Sequence, residues 1–320
     1  MIAYAAILVG FILLVWTADR FILGSSAIAD NLGVSPIIIG LTVVAFGTSA
    51  PEIFVAAVAS WEGSPGMAVG NALGSNIANI GLILGITALV MPLAVRSETL
   101  KREFPILFAV TLLSLMLMLD GSLGIIDGLV MLAALSLMLY WIVSIGLRSR
   151  RTDPIGSEYE AELPQHMKMS KAVAWFLFGL VGLLLSSRLL VWGAVNIAQS
   201  LGVSDLLIGL TVIAIGTSLP ELAASVVSAL KNKHDIAIGN ILGSNMYNLL
   251  AVLSMPALMA PTKLPDQVLS RDFPVMIGLT VALFAMAYGF RRPGRLNRLE
   301  GFGLLLAFVA YQTTIVVTAV

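Results

Sequence analysis

Apolar runs as long as a bilayer is thick follow one another along this whole chain. Each needs roughly 20 residues to cross the hydrocarbon. No water reaches a backbone there, so every amide must bond within its own segment or within a closed barrel. The runs are continuous, without the apolar–polar alternation of barrel strands, so they read as helices. Of the 320 residues, 58% are hydrophobic and 11% charged, with a mean hydropathy of +0.98. A soluble domain carries about 25% charged residues. The expected fold is therefore an all-α polytopic membrane protein. Ten spans are predicted, at residues 1–17, 36–60, 66–94, 104–119, 124–147, 171–194, 205–230, 235–259, 273–290 and 300–319. The third and eighth are long and glycine-interrupted, as broken transporter helices are. The first run lacks a basic leader and an obvious cleavage site, so it reads as a retained span. No cysteine is present, which excludes disulfides, thiolate metal sites and iron–sulfur clusters.

With these spans, fifteen of the eighteen Lys and Arg fall on one side. Cytoplasmic loops are the basic ones, so both termini are expected outside the cytoplasm, in a cytoplasmic membrane. Lys263 and Arg271 lie on the other side, and Arg188 falls inside span 6. Arg188 reads as a snorkelling arginine near a helix end.

The chain repeats itself. LGVSPIIIGLTVVAFGTSAPE (Leu32–Glu52) recurs as LGVSDLLIGLTVIAIGTSLPE (Leu201–Glu221), with 15 of 21 positions identical at an offset of 169. At the same offset GNALGSNIANI (Gly70–Ile80) recurs as GNILGSNMYNL (Gly239–Leu249). Five spans separate Glu52 from Glu221. An odd number inverts the second copy, which is the plan of secondary transporters with midplane sites. Two inverted five-helix repeats are expected, residues 1–147 and 171–320, joined by a cytoplasmic loop over 148–170.

Away from the ends of the predicted spans the only acids are Glu52 and Glu221, each in a GTSxPE motif. A charge at that depth costs about 2.5–3.5 kcal/mol on insertion scales, and such residues usually face a cavity. A lone structural glutamate is the plainer reading, but two acids related by the repeat argue for an ion path. Thr48 and Glu52, Ser75 and Asn79, Thr217 and Glu221, and Ser244 and Asn248 are each four apart. One helical turn puts each pair on a common face. Pro51 and Pro220 leave the carbonyls of Gly47 and Gly216 without their helical donors and kink the helix. Carbonyls, hydroxyls, amides and carboxylates make an all-oxygen site, which suits calcium better than magnesium. Both His lie in loops, which argues against zinc or copper. The motif glycines also permit close helix packing.

At these residues the chain resembles the sodium/calcium exchanger family of calcium/cation antiporters, in particular its short prokaryotic members. GTSAPE and GTSLPE, with GSNIANI and GSNMYNL, look like that family's two alpha repeats, and the likeness covers the whole chain. It implies that spans 2, 3, 7 and 8 enclose four cation sites near the midplane, and that spans 1 and 6 are long and tilted and slide against the core to alternate access. By this resemblance Glu52 and Glu221 bind calcium and share sodium. Ala45, Thr48, Ser49, Ala214, Thr217 and Ser218 line the flanking sodium sites, and Ser75, Ser244, Asn79 and Asn248 complete the set. Asn248 stands where many relatives carry Asp, an acid associated with potassium use, so exchange without potassium is expected.

The two glutamates give the site a fixed charge of at most −2. One calcium or two sodium ions neutralise it, which favours exchange over co-transport. The expected function is sodium/calcium antiport, with a proton/calcium exchanger on the same scaffold as the alternative. An ion channel is a further reading, which only counter-flow excludes. An enzyme is not expected, for want of a credible nucleophile, buried His or metal triad. No cofactor, nucleic acid or obligatory protein partner is expected; the ligands are calcium, sodium and the lipid bilayer.

Overall fold

The computed structural model describes residues 2–95, 97–149, 167–201, 214–288 and 294–319. It is all-α apart from four two-residue strands. The helices are α1 (Ile2–Leu32), α2 (Pro36–Thr48), α3 (Ala50–Trp61), α4 (Pro65–Val90), α5 (Ser97–Met118) and α6 (Ile125–Ser149). After the connecting loop come α7 (Met169–Ser200), α8 (Ala214–Thr217), α9 (Leu219–Leu230), α10 (His234–Met259), α11 (Val268–Tyr288) and α12 (Arg298–Ala319). Among the described residues seven helices are long and apolar enough to cross a membrane, or eight if the bent pair α2–α3 is one span. Helix α9 has only 12 residues. Most of the loop over 148–170, and residues 205–213 of the seventh predicted span, lie outside the described residues.

Several boundaries differ from the sequence reading. The first span was expected to end at 17 and the sixth to run over 171–194. Helix α1 has 31 residues and α7 has 32, about 46–48 Å at 1.5 Å per residue. Nothing between 17 and 32 breaks a helix, so α1 continues to Gly33. There φ turns to +60°, and the amides of Gly33 and Val34 close back on the carbonyls of Asp30 and Ala29 at 3.1 Å each. That is a glycine-terminated C-cap. Arg188 is therefore exposed in the middle of α7 and not near its end. Helix α5 starts seven residues before the predicted span, because Glu98, Lys101, Arg102 and Glu103 end an apolar run without opposing a helix. His234, assigned to a loop, is the first residue of α10.

The repeat is visible in the caps. Gly63 (φ +78°) ends the turn after α3, and Asn232 (φ +58°) stands at the same place after α9. Ser64 then donates to Ala59 at 2.8 Å, and Lys233 to Ser228 at 2.8 Å. Asn takes the left-handed conformation more readily than other side-chain-bearing residues.

Helices α1 and α7 run antiparallel in close contact. A Cβ at Gly24 would sit 2.4 Å from the Phe176 amide, at Gly182 2.3 Å from Thr17, and at Gly193 2.8 Å from the Ala3 carbonyl. Small residues let membrane helices approach this closely. The pair forms its own apolar cluster with Ile39, Val44, Ala223, Ala224 and Val227. The main cluster is built around α4 and α10, and the apolar stretch of α10 is buried throughout. Large apolar side chains such as Leu8, Phe11, Leu137, Val181 and Leu306 are exposed, as suits a lipid-facing surface. Strand β1 (Leu93–Ala94) pairs antiparallel with β4 (Arg295–Leu296), and β2 (Ser122–Leu123) with β3 (Thr262–Lys263). These ladders tie loops of the first half to loops of the second.

Two further acids are buried within helices, Glu103 (9% exposed) and Asp272 (8%), so Glu52 and Glu221 are not alone. Asp272 accepts from Arg271 Nε at 2.7 Å and from the Tyr311 hydroxyl at 3.0 Å. REFP (Arg102–Pro105) and RDFP (Arg271–Pro274) are themselves repeat mates at offset 169.

Candidate cation site

The third and eighth spans were expected to be broken. Instead the break falls in GTSAPE, where α2 and α3 meet at 42°. Helices α4 and α10 continue through a π-helical stretch, at Asn79–Leu84 and Asn248–Val252. Such stretches widen the turn and recur at functional sites. In both halves the switch begins at a candidate ligand, Asn79 or Asn248.

The break has a local cause. Ser49 takes φ −83°, ψ 0°, ending α2 and starting α3, with Pro51 in the first turn. A proline is at home there because its missing N–H has no helical partner in any case. Glu52 follows in that first turn, and Glu221 sits likewise at the start of α9 behind Pro220. Helix N-termini favour negative charge. Thr48 and Glu52 thus lie on two helices across a bend, and do not share one helical face as expected.

Most of the candidates are buried. Thr48, Ser49 and Ser244 are fully buried; Glu52, Glu221, Asn79 and Asn248 are each 1% exposed. Ser218 and Ser75 are nearly as deep. Thr217 is half-buried, and Ala214 is the first residue of α8. The halves meet here. The Ser49 hydroxyl lies 3.4 Å from Glu221 Oε1, and Thr48 Oγ1 donates to Asn240 Oδ1 at 3.1 Å. Ser49, three residues before Glu52, thus reaches the carboxylate of the other half.

Six buried oxygens of these residues have no hydrogen-bond partner. They are Glu52 Oε2, Glu221 Oε2, Asn79 Oδ1, Asn248 Oδ1, Ser218 Oγ and Ser244 Oγ. Buried polar atoms are nearly always bonded, and half of the twelve unpartnered ones among the described residues belong to these candidates. A desolvated cation is the ligand such a set fits. Among the described residues there is no group of three or more His, Cys, Asp or Glu. The set is two carboxylates with neutral oxygens, a hard-cation environment. Two expected carbonyls are otherwise engaged. Gly216 accepts from the Ser187 hydroxyl at 2.9 Å, and Ala45 from the Ser49 amide at 2.9 Å and Thr48 Oγ1 at 3.3 Å.

Sequence reasoning missed the asparagines that brace the site. Asn71 Nδ2 donates to the Glu52 carbonyl at 3.3 Å, and its repeat mate Asn240 donates to that of Glu221 at 3.4 Å and to Ser225 Oγ at 3.0 Å. Asn245 joins the halves, accepting from Asn79 Nδ2 at 3.0 Å and, through its carbonyl, from Asn76 at 3.3 Å. All four belong to the repeated GNxxGSN motif, which was the available signal. Each bond contributes about 0.5–1.5 kcal/mol, so three bonds at Asn240 outweigh one at Asn71. Asn240→Ala should lower thermal stability by about 1.5–4 kcal/mol, and Asn71→Ala by no more than about 1.5 kcal/mol. Equal melting shifts would contradict this bracing.

The comparisons with known proteins agree with one another. The family model described as sodium/calcium exchanger protein matches residues 2–144 and 171–317. CaxA of Alkalimonas amylolytica is 51% identical over 98% of each chain. The sodium/calcium exchanger MaX1 of Methanosarcina acetivorans is 29% identical over 96% of this chain and 97% of its own. A solved structure of the sodium-calcium exchanger NCX_Mj superimposes with a TM-score of 0.82 at 32% identity, over 97% of both chains. The chain is a membrane protein and belongs to the sodium/calcium exchanger family.

Proposed function

We propose that the protein is a secondary antiporter that exchanges sodium for calcium at the site between Glu52 and Glu221. The observation that carries this is the six unpartnered, buried oxygens contributed by both halves of the chain. Calcium takes six to eight oxygens in flexible geometry. One calcium or two sodium ions balance the two carboxylates, so the ions compete for one site and are carried in turn. The candidates from Ala45, Thr48, Ser49, Ala214, Thr217 and Ser218 serve sodium on either flank; Ser75, Ser244, Asn79 and Asn248 close the cage.

In this reading the chain crosses the membrane ten times. The bent pair α2–α3 makes one span, α5 another, and α8–α9 lies in a third. The halves are residues 1–147 and 171–320, inverted, with both termini outside the cytoplasm. The antiparallel contact of α1 with α7 and the pairing of loops at β1–β4 and β2–β3 support this topology. Three sodium ions per calcium would move one net charge, adding about 2.3 kcal/mol of drive at 100 mV.

Reconstituted vesicles test the coupling ion. Calcium uptake should follow an outward sodium gradient with the proton gradient collapsed, and adding or removing potassium should leave it unchanged. Uptake that needs a pH gradient and ignores sodium would make the protein a proton/calcium exchanger. A strict potassium requirement would overturn the argument from Asn248.

A further inference from the structure

The hydroxyl of Ser187, on α7, donates a 2.9 Å bond to the backbone carbonyl of Gly216, on α8. Both residues are buried. This is the carbonyl that Pro220, four residues on, cannot bond. One turn beyond Ser187, Val191 lies directly on the same glycine: a Cβ at Gly216 would stand 2.2 Å from Val191 Cγ2. A polar bond and a close apolar contact therefore join α7 to α8 at one point.

Among the described residues, no side chain of α1 bonds the Gly47 carbonyl in the same way. At offset 169, Ala18 stands in place of Ser187. Ala18 has no hydroxyl, so α1 cannot give Gly47 the bond that α7 gives Gly216. A Cβ at Gly47 would meet the side chain of Leu180 on α7 at 3.1 Å and that of Phe21 on α1 at 3.8 Å.

We propose that Ser187 is a positioning residue that ties α7 to the second broken helix in this conformation, so that the two halves of the site release unequally. Helices α1 and α7 pack as a pair with an apolar cluster distinct from the main core. Any shift of α7 across α8 must break the Ser187 bond and carry Val191 past Gly216. A shift of α1 across α2 breaks no equivalent bond. Gly216 directly precedes Thr217 and Ser218, so the bond also fixes the direction of the segment that bears them. With the hydroxyl in place, one lone pair of the Gly216 carbonyl is taken.

The transport readout rests on the antiport reading; a second readout does not. Ser187→Ala, Ser187→Cys and Ser187→Thr are made in the full chain. Sodium half-saturation of calcium flux is measured with sodium on each face of the membrane, and amide exchange is followed over residues 214–222. Loss of one such bond shifts a two-state balance by about two- to tenfold. Ser187→Ala should change half-saturation by that factor on one face only, and speed exchange over 214–222. Ser187→Cys, the same shape with a weaker donor, should do both to a smaller degree, and should serve if the Ala variant folds poorly. Ser187→Thr should behave as wild type. Unchanged exchange protection, or equal shifts on both faces, overturns the proposal. Should wild type show no sodium-dependent calcium flux, the antiport reading fails, and amide exchange alone decides the tether.

Discussion

If the proposed antiport is right, Glu221→Gln should abolish calcium exchange, lowering the rate at least about a hundredfold, while the protein stays folded, and Glu52→Gln should do the same. Glutamine keeps the shape and an acceptor oxygen, so the 3.4 Å contact from Ser49 to Oε1 of residue 221 can survive. What goes is half of the site's fixed charge. Two unit charges 4 Å apart interact by about 4 kcal/mol at an effective dielectric of 20, and a divalent ion doubles that. A hundredfold loss of affinity needs only about 2.8 kcal/mol. The margin is wide enough that a modest relaxation of the site does not rescue transport. Stability should move the other way. Each carboxylate is 1% exposed with one oxygen unpartnered, and removing an uncompensated buried charge relieves desolvation. Ion-free mutants should therefore melt no lower than ion-free wild type. A glutamine mutant with wild-type exchange, or a steep loss of folded protein in both, would point to structural glutamates.

Gly243→Val disrupts the protein outright, with a loss of about 3 kcal/mol or more and no measurable transport. Even a Cβ there would stand 2.5 Å from the Leu41 carbonyl, 2.6 Å from Ala45 Cβ and 2.9 Å from Leu41 Cα. All three of these atoms are backbone or fixed to it, so α2 itself must move. Ala45 and Thr48 lie on that stretch, and the site moves with them. Gly124→Ala is the control, since a Cβ there meets only Asp127 Oδ2 at 3.5 Å. Melting curves and flux in vesicles read both variants. Normal folding and exchange in Gly243→Val would mean that α2 and α10 are not locked together at the site.

The offset of 169 made much of the site legible, because it separates motif from mere hydrophobicity. Glu52, Glu221, Asn79 and Asn248 were singled out by type and symmetry alone, and each is buried. The kink at Pro51 was foreseen from its missing amide, and α2 and α3 do bend there; the breaks expected in the third and eighth spans are absent. Glycine content pointed to the third and eighth spans, whereas the proline after Ser49 does the breaking and those spans absorb their strain as π turns. Helix length was misread in α1 and α7 because hydropathy marks the lipid-facing part of a helix and is silent on its continuation. Glu103 and Asp272 were overlooked because neighbouring charges end an apolar run even where the helix goes on. Asn71 and Asn240 share the motif with the candidate ligands. Residue type cannot distinguish an amide that braces a backbone from one that faces an ion; only hydrogen-bond partners do.

Calorimetric titration of the purified protein with calcium, at several sodium concentrations, bears most directly on the pairing of Glu52 with Glu221. Saturable calcium binding should weaken in proportion as sodium rises, and should vanish in Glu221→Gln. Calcium affinity indifferent to sodium, or intact in both glutamine variants, would contradict it.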